Sequence, residues 1–270
     1  MVPLIRAAHV QPALGVTSMT TALALAAGRG WGAVWVFLAM LSGQLFVGWS
    51  NDWLDASRDV LAGRADKPVA AGEVLRRAVG TAALVAAALC VPLSLANGLL
   101  AGLVHVGAVV SAGLYNLYFK RVPLSPLPYV VSFGSLPYFV TYGLPGRPAP
   151  AFWAPLAAAL LGAGAHFVNT LPDQADDLRL GVHGLPQRIG RTPSLVAGTL
   201  LLGAAGLVLT VLPPGPPTAL ALAALAAQLL AVAGVAVSAR LGRPRTAWTL
   251  TIAAAVLAVA LLIAQGTALT

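Results

Sequence analysis

The chain is dominated by long apolar segments, each about as long as a helix that crosses a lipid bilayer. Such a helix needs about 20 mostly apolar residues, and inside the bilayer it must satisfy its own backbone polar groups. We therefore predict an all-α, polytopic membrane protein with nine transmembrane helices. The nine segments cover residues 10–28, 31–50, 77–96, 98–115, 126–143, 150–171, 193–212, 217–238 and 246–268.

The scarcity of charged residues supports this interpretation. Charged residues make up 9% of the chain and hydrophobic residues 59%, whereas soluble domains carry about 25% charged residues. So few polar side chains cannot cover the surface of a soluble fold. The single cysteine, Cys90, excludes a disulfide framework and a cysteine-based metal site. We expect one intramembrane domain over residues 1–270.

The basic residues fall mainly on one side of the predicted membrane. With nine spans, all of the 16 lysines and arginines except Arg29 and Arg147 lie on the side of the N-terminus. Basic loops mark the cytoplasmic side of a membrane protein, which accounts for the net charge of +8 without a nucleic acid partner. We therefore expect a multi-pass protein of the plasma membrane with a cytoplasmic N-terminus.

The acidic residues are even more restricted, because all eight lie in two regions on that same side. Solvation alone would scatter carboxylates over every cytoplasmic loop, so this clustering indicates a site. The first region holds Asp52, Asp55, Asp59, Asp66 and Glu73, and the second holds Asp173, Asp176 and Asp177.

Both acidic regions repeat one spacing, i, i+4 and i+8. On a helix, side chains at this spacing stack on one face about a turn apart. The recurrence raises the possibility of an internal repeat of helices carrying residues 51–59 and 169–177. Pro172 is expected to kink the helix that leads into the second region. The two triplets are Asn51, Asp55 and Asp59, and Asn169, Asp173 and Asp177.

Carboxylates stacked on one helix face repel each other, and a hard divalent cation converts that repulsion into coordination. Two such faces opposed across a cavity would hold two Mg²⁺ ions around one diphosphate and neutralise it as a leaving group. A solvated helix face is the alternative for either triplet alone. Basic residues beside the triplets, Arg64, Lys67 and Lys120, suit an anionic substrate, although positive-inside anchoring also explains some of them.

Several elements of the sequence match a known pattern. The first is Asn51-Asp52-x-x-Asp55-x-x-x-Asp59 followed by Arg64-x-x-Lys67-Pro68, the second is Asp173-x-x-Asp176-Asp177, and the third is Tyr115-Asn116-x-x-Phe119-Lys120-Arg121. Together they resemble the signatures of the UbiA prenyltransferase superfamily, over essentially the whole chain. Lys67 differs from the arginine of many members.

The resemblance implies helices around a central cavity, two Mg²⁺ ions and a polyprenyl diphosphate donor. It also implies roles for individual residues. One metal would be bound by Asn51, Asp55 and Asp59 and the other by Asp173 and Asp177, with Asp55, Asp59, Asp173 and Asp177 as the catalytic carboxylates. The diphosphate would contact Arg64, Lys67, Lys120 and Asn169, and the acceptor or a cationic intermediate would contact Tyr115 and His166.

The implied reaction transfers a prenyl group to a lipophilic acceptor, an aromatic compound or quinone precursor. It proceeds through an allylic carbocation and releases pyrophosphate. A UbiA-like terpene cyclase, which quenches the same cation internally, is an alternative that the motifs leave open. A transporter is disfavoured, because its charged residues are expected near the bilayer midplane rather than at helix ends on one side.

Overall fold

A computed structural model of the protein describes residues 2–270, apart from the side chains of Ala239 and Pro244. Within that range the secondary structure is entirely helical, as the sequence predicts. Two short 3₁₀ turns, Phe119–Arg121 and Gly266–Ala268, accompany the α-helices. The helices are α1 (Val2–Arg6), α2 (Val10–Ala26), α3 (Gly32–Leu61), α4 (Arg76–Leu95), α5 (Leu99–Leu117), α6 (Leu127–Gly134), α7 (Leu136–Thr141), α8 (Trp153–Asn169), α9 (Gln174–Arg179), α10 (Leu185–Ile189), α11 (Arg191–Val211), α12 (Ala219–Arg240) and α13 (Pro244–Ala264).

Each of the nine apolar segments forms a helix or a pair of helices. Among the described residues, six helices are long and apolar enough to cross a membrane: α3, α4, α5, α11, α12 and α13. Helices α2 and α8 are apolar too but have 17 residues each. The polytopic helical fold is therefore confirmed, and the number of nine spans stays a prediction.

The segment predicted at 126–143 is the one that divides. Helix α6 ends at Gly134 and α7 begins at Leu136, with Ser135 between them. Pro137 has no N–H to donate to the carbonyl four residues earlier, and its ring crowds the preceding turn. A single straight helix is therefore disfavoured at this point.

Helix α3 continues well past the predicted segment 31–50, reaching 30 residues at Leu61. A helix of this length spans about 45 Å, whereas the hydrocarbon core of a bilayer is about 30 Å thick. Its last turns, which carry Asp52, Asp55 and Asp59, are therefore at the level of the membrane surface.

Glycines allow α8 to pack tightly between two neighbours. A Cβ on Gly162 would lie 2.6 Å from the Tyr129 carbonyl oxygen of α6, and one on Gly164 would lie 3.0 Å from the Gly198 carbonyl oxygen of α11. Small residues let membrane helices approach this closely, so that dispersion contacts between backbones hold them together. This packing fixes the position of the C-terminal end of α8, where the second acidic region begins.

The N-terminal segment packs against α3 close to the first acidic region. The Trp49 indole N–H donates a hydrogen bond to the Leu4 carbonyl at 2.8 Å. Gly48 leaves room for the carbonyl of Ala8, which a side chain at that position would displace. The next residue, His9, adopts a left-handed backbone conformation with φ of 52° at the start of α2. The segment thereby brings His9 to the acidic end of α3.

Helix α8 should tolerate no side chain at Gly162. We expect Gly162→Ala to destabilise the protein by about 1–3 kcal/mol, because the added methyl group collides with backbone of α6. Thermal unfolding of the purified protein in detergent measures this. Gly107→Ala on α5 is the control, because its Cβ would meet nothing within 4 Å. Equal melting temperatures for the two variants would contradict the tight packing of α8.

Candidate active site

The first acidic motif lies on the continuous end of α3. Asn51, Asp55 and Asp59 therefore share one helix face, as their spacing predicts. The three aspartates of this stretch, Asp52, Asp55 and Asp59, are all buried, and Asp55 is only 3% exposed. Burying a carboxylate costs several kcal/mol unless cations or hydrogen bonds compensate it. The partners of these carboxylates are therefore part of the site.

Asp55 is held between two cations. The Lys120 ammonium, in the 3₁₀ turn after α5, donates to Asp55 Oδ1, and Arg58 Nη2 donates to Oδ2 at 2.6 Å. Lys120 is itself 4% exposed, and this burial lowers the pKa of its ammonium group. The pair therefore brings the loop after α5 onto the first motif, where a cation lies within reach of any anion that binds there.

Asp52 forms a second buried cluster with His9 and Lys67. Its Oδ1 accepts a hydrogen bond from the Lys67 ammonium at 2.7 Å and lies 2.8 Å from His9 Nε2. Lys67 also lies 2.9 Å from that His9 nitrogen. The other Asp52 oxygen, Oδ2, is buried and has no hydrogen-bond partner among the described residues. The cluster joins the N-terminal segment and the loop after α3 to the first motif.

The second motif is interrupted, unlike the first. Helix α8 ends at Asn169, Pro172 follows, and Asp173 is the N-cap residue of the short helix α9. The kink expected from Pro172 is therefore a complete break, and the triplet of Asn169, Asp173 and Asp177 does not lie on one helix. Proline disfavours the helical conformation in the residue before it, here Leu171, so that α8 cannot continue regularly into the second motif.

Within the second motif, Asp177 and Asp176 lie in different environments. Asp177 accepts a hydrogen bond from Gln187 Nε2 at 2.9 Å. Burial raises the pKa of the Asp177 carboxyl, an effect that this hydrogen bond opposes. The Asp176 side chain is 53% exposed, and its one ion pair among the described residues is with Arg179, at 3.5 Å. Asp177 therefore faces the interior of the site and Asp176 faces outward.

Arg64 connects the two motifs. Its guanidinium forms two hydrogen bonds with Asp66, at 2.9 and 2.8 Å, and lies 3.4 Å from Asp173. The Asp66 interaction raises the pKa of Arg64, and in turn it lowers the pKa of Asp66 to about 2. A permanently charged, fork-shaped donor thus lies between the loop after α3 and the start of α9. This geometry suits an arginine that recognises phosphate oxygens.

A cavity of about 250 Å³ opens between the motifs. Asn51 and Asn169, the first residues of the two triplets, both line it. Apolar side chains from α2, α3 and α6, including Val16, Val47 and Phe133, form much of its wall. Its other polar lining residues are His9, Gln44, Tyr115, Asn116, Tyr129 and Ser132. No Asp, Glu, Lys or Arg is among the residues described as lining the cavity. Its polar end is formed by Asn51 and Asn169, and on α3 Asn51 lies one turn from Asp55.

Aromatic residues surround one side of this cavity. Tyr115 lines it and meets the Tyr129 ring edge-on at 5.1 Å between centroids. His166 lies behind them, with ring centroids 5.5 Å from Tyr115 and 4.8 Å from Tyr129. His166 is 1% exposed, and its Nε2 lies 3.0 Å from the Ser125 hydroxyl. The structure thus puts Tyr115 at the cavity surface and His166 in a supporting position.

The donor atoms of both motifs suit Mg²⁺. Within residues 2–270 no three acidic, histidine or cysteine side chains converge as a ready-made metal cluster. Mg²⁺ usually takes only one or two carboxylates, and water and substrate phosphate oxygens complete its coordination. The buried Asp52 Oδ2 without a partner, and the buried Asp59, are oxygen ligands of the required type. The site therefore fits a metal that is bound together with a phosphate-bearing substrate.

The structure brings most of the residues predicted for the site together. Lys67 and Lys120 contact carboxylates of the first motif, and Arg64 contacts Asp173 of the second. The site residues predicted from the sequence do not include five further residues, whose contacts join distant parts of the chain. Asn116, for example, donates hydrogen bonds to the Val47 carbonyl and the Ser50 hydroxyl at 2.9 Å each. The five residues are His9, Asp52, Asn116, Tyr129 and Gln187.

The ion pair of Lys120 and Asp55 should contribute strongly to stability. We expect Lys120→Met to destabilise the protein by about 3 kcal/mol, because Asp55 is left buried with Arg58 alone. The neighbouring exposed Arg121, which donates only to the Leu117 carbonyl, gives the control variant Arg121→Met. Thermal unfolding in detergent compares the two.

A double-mutant cycle separates this ion pair from simple loss of packing. Lys120→Met combined with Asp55→Asn should unfold at a higher temperature than Lys120→Met alone, because the buried carboxylate that has lost one of its two cations is replaced by a neutral amide. If the double variant is less stable than either single variant, the pair is not what holds Lys120 in the site.

Comparison with known proteins supports the same architecture. The chain matches the UbiA prenyltransferase family over residues 14–247. No curated protein sequence matches it. Several solved structures share its fold at low sequence identity, and at this level the likeness concerns the fold alone.

Three of these structures illustrate the match. A UbiA homologue from Aeropyrum pernix K1 has a TM-score of 0.72 at 21% identity, over 92% of this chain and 97% of that chain. A structure of digeranylgeranylglyceryl phosphate synthase has 0.69 at 17% identity, over 98% of both chains. A UbiA homologue from Archaeoglobus fulgidus bound to GPP and Mg²⁺ has 0.68 at 16% identity, over 97% and 99%.

The family match covers most of the chain and includes both acidic motifs and the loop after α5. The chain belongs to the UbiA prenyltransferase family.

Proposed function

We propose that the protein transfers a prenyl group from a polyprenyl diphosphate to a small lipophilic acceptor, an aromatic compound or quinone precursor, in a Mg²⁺-dependent reaction. One observation carries the proposal: a largely apolar cavity is lined by the first residue of each triplet, Asn51 and Asn169, and buried lysines pair with the carboxylates of the first motif. An isoprenoid diphosphate has the matching shape, a charged head on an apolar tail. Homologues from Archaeoglobus fulgidus bound to GPP or DMAPP with Mg²⁺ support the donor class.

Each motif would hold one Mg²⁺ ion. We assign Asn51, Asp55 and Asp59 to the first ion, because they share one face of α3. Asp173 and Asp177 would hold the second. Bound there, the ions would supply Lewis-acid stabilisation of the negative charge that develops on the pyrophosphate.

The basic residues would bind and orient the diphosphate. Lys67 and Lys120 now donate to carboxylates of the first motif, and Arg64 lies between the motifs. Phosphate oxygens that enter the site would offer these cations a second set of acceptors. Asn169, which lines the cavity at the end of α8, would donate to the same head group. Fixed charges of this kind stabilise the leaving group without reorganising during the reaction.

The cavity would govern the fate of the prenyl group. The bond between C1 of the prenyl chain and the diphosphate oxygen breaks, and its electron pair leaves with pyrophosphate. An electron-rich carbon or oxygen of the acceptor then bonds to C1, and the acceptor loses a proton. Tyr115 and Tyr129 can stabilise the allylic cation through their π-systems, with His166 fixing their orientation from behind. The apolar wall excludes water, which would otherwise capture the cation.

The membrane orientation follows from the basic loops. With the nine predicted spans, the site residues Lys67, Lys120 and Arg64 would lie on the side that carries nearly all basic residues, which the positive-inside rule assigns to the cytoplasm. We infer that both motifs face the cytoplasm of a cell whose plasma membrane holds the protein. The whole chain would act as one prenyltransferase domain, and the internal repeat of its two motif-bearing helices stays a prediction.

Release of pyrophosphate tests the reaction directly. The purified protein in lipid is supplied with Mg²⁺ and with geranyl, farnesyl or geranylgeranyl diphosphate, with and without a pooled mixture of aromatic acceptors. We expect release that depends on Mg²⁺ and acceptor, with a prenylated adduct seen by mass spectrometry. Release without acceptor, accompanied by a cyclic hydrocarbon or alcohol, would instead identify a terpene cyclase.

Replacing either of two adjacent carboxylates of the second motif, Asp176 or Asp177, should have different effects on turnover. We expect Asp177→Asn to lower turnover about 100-fold or more, because it removes a proposed metal ligand. Asp176→Asn should stay within about twofold of the wild type, since the one ion pair of this exposed carboxylate among the described residues is with Arg179. The Mg²⁺ dependence of pyrophosphate release is measured for both. Similar losses in the two variants would contradict the assignment of Asp177.

Substitutions of Lys67 should affect donor binding according to charge. Lys67→Met is expected to raise KM for the prenyl diphosphate by about tenfold or more, because a charge-assisted hydrogen bond to phosphate is lost. Lys67→Arg keeps the charge and should retain most of the activity. Steady-state kinetics at saturating acceptor compares the two variants, and an unchanged KM in Lys67→Met would exclude the proposed contact.

A further inference from the structure

A second concave surface lies on the outside of the helical bundle, between α3 and α4. This groove, which we call the α3–α4 groove, has a volume of about 630 Å³ and shares no lining residue with the central cavity. Small side chains of α4, among them Ala78 and Ala82, alternate there with Val85 and Leu89, which are each 53% exposed. Because these exposed apolar residues lie on membrane-crossing helices, the groove faces lipid.

The groove has the length of one lipid leaflet. On α4 its lining runs from Arg77 to Leu89, a rise of about 18 Å along the helix. Half of the hydrocarbon core of a bilayer is about 15 Å thick. Arg77 lies at the end of α4 that is on the same side as the acidic motifs. The groove therefore runs from the membrane surface on that side to about the bilayer centre, the depth that one acyl chain occupies.

Positive charge marks the surface end of the groove. Among the described residues, the exposed Arg77 side chain makes no ion pair or hydrogen bond. Its neighbour Arg76 donates to the Trp53 carbonyl at 3.1 Å and is not a lining residue. Helix α4 begins there without a side-chain cap, so its N-terminal dipole adds to the attraction for an anion. An anionic head group at this level would meet a free guanidinium.

A neighbouring groove provides a contrast. It lies over α3 between α4 and α5, with a volume of about 410 Å³, and Ala87, Val91 and Val109 are among its lining residues. The side chains described as lining it are all uncharged. This groove can take apolar chains but offers no ionic contact that would select a head group.

We propose that the α3–α4 groove binds an anionic glycerophospholipid from the leaflet on the side of the acidic motifs. One acyl chain lies along Ala78, Ala82 and Leu89, and the phosphate contacts Arg77. The site is independent of the prenyl transfer reaction, because neither its position nor its chemistry requires the donor or the acceptor.

Native mass spectrometry with matched variants tests this site. Purified protein in mild detergent is mixed with equal amounts of phosphatidylglycerol and phosphatidylcholine, and the retained lipids are counted. The wild type should prefer phosphatidylglycerol, and Arg77→Gln should reduce that preference about fivefold, the contribution of one arginine at a membrane surface. Arg76→Gln, which leaves Arg77 in position, should keep it.

Groove-filling variants separate this groove from the rest of the surface. Ala82→Phe should lower retention of phosphatidylglycerol, whereas Ala87→Phe, which fills the neighbouring groove, should not. Circular dichroism and size-exclusion profiles verify that both variants are folded. Equal retention of the two lipids by the wild type would overturn the proposal, as would retention unaffected by both Arg77→Gln and Ala82→Phe. A wild-type dimer that Ala82→Phe dissociates would also overturn it, because the groove would then bind a second copy of the chain.

Discussion

The burial of three carboxylates on a short stretch of α3 is the constraint on which the rest of the site depends. Asp52, Asp55 and Asp59 lie where a long apolar helix reaches the membrane surface, shielded from the water that would normally solvate them. Uncompensated, each would cost several kcal/mol. Lys67 compensates the charge of Asp52 and Lys120 that of Asp55, and the two lysines come from different loops. The carboxylates thus hold the loops after α3 and α5 against the end of α3.

The same electrostatics prepares the site for an anionic substrate that arrives with metal ions. Cations that balance buried carboxylates are already desolvated and oriented, so they can contact phosphate oxygens at little further cost. The first motif lies on one continuous helix. The second begins after a helix break at Pro172 and is joined to the first through Arg64. One motif is therefore held by the helix itself and the other by loop contacts.

Much of this architecture could be predicted from local patterns, and the remainder depends on contacts between distant residues. The i, i+4, i+8 spacing of Asn51, Asp55 and Asp59 predicts a shared face, since nothing interrupts α3. The equal spacing in the second motif misleads, because Pro172 ends the helix before the triplet is complete. Pro137 likewise divides the segment 126–143, whose apolar composition predicts a single helix.

Residues whose roles arise only from tertiary contacts could not be identified in advance. His9 reaches Asp52 because Gly48 and Trp49 hold the N-terminal segment against α3. Tyr129 approaches His166 because Gly162 lets α6 and α8 pack closely. In both examples a glycine lets two segments come close together. The amino-acid composition alone does not indicate which side chains will then be in contact. The number of membrane spans also depends on how short helices such as α2 and α8 lie in the bilayer.

Equilibrium binding of a non-reactive prenyl diphosphate analogue, with and without Mg²⁺, tests the central claim most directly. Isothermal titration calorimetry on the purified protein in detergent measures affinity apart from the acceptor and from turnover. If the two motifs bind a diphosphate through metal ions, the analogue should bind at one site per chain with Mg²⁺ and lose most of its affinity when EDTA removes the metal. Equally tight binding with and without Mg²⁺ would contradict a metal role for the carboxylates, and the lysines and Arg64 would then account for recognition by themselves.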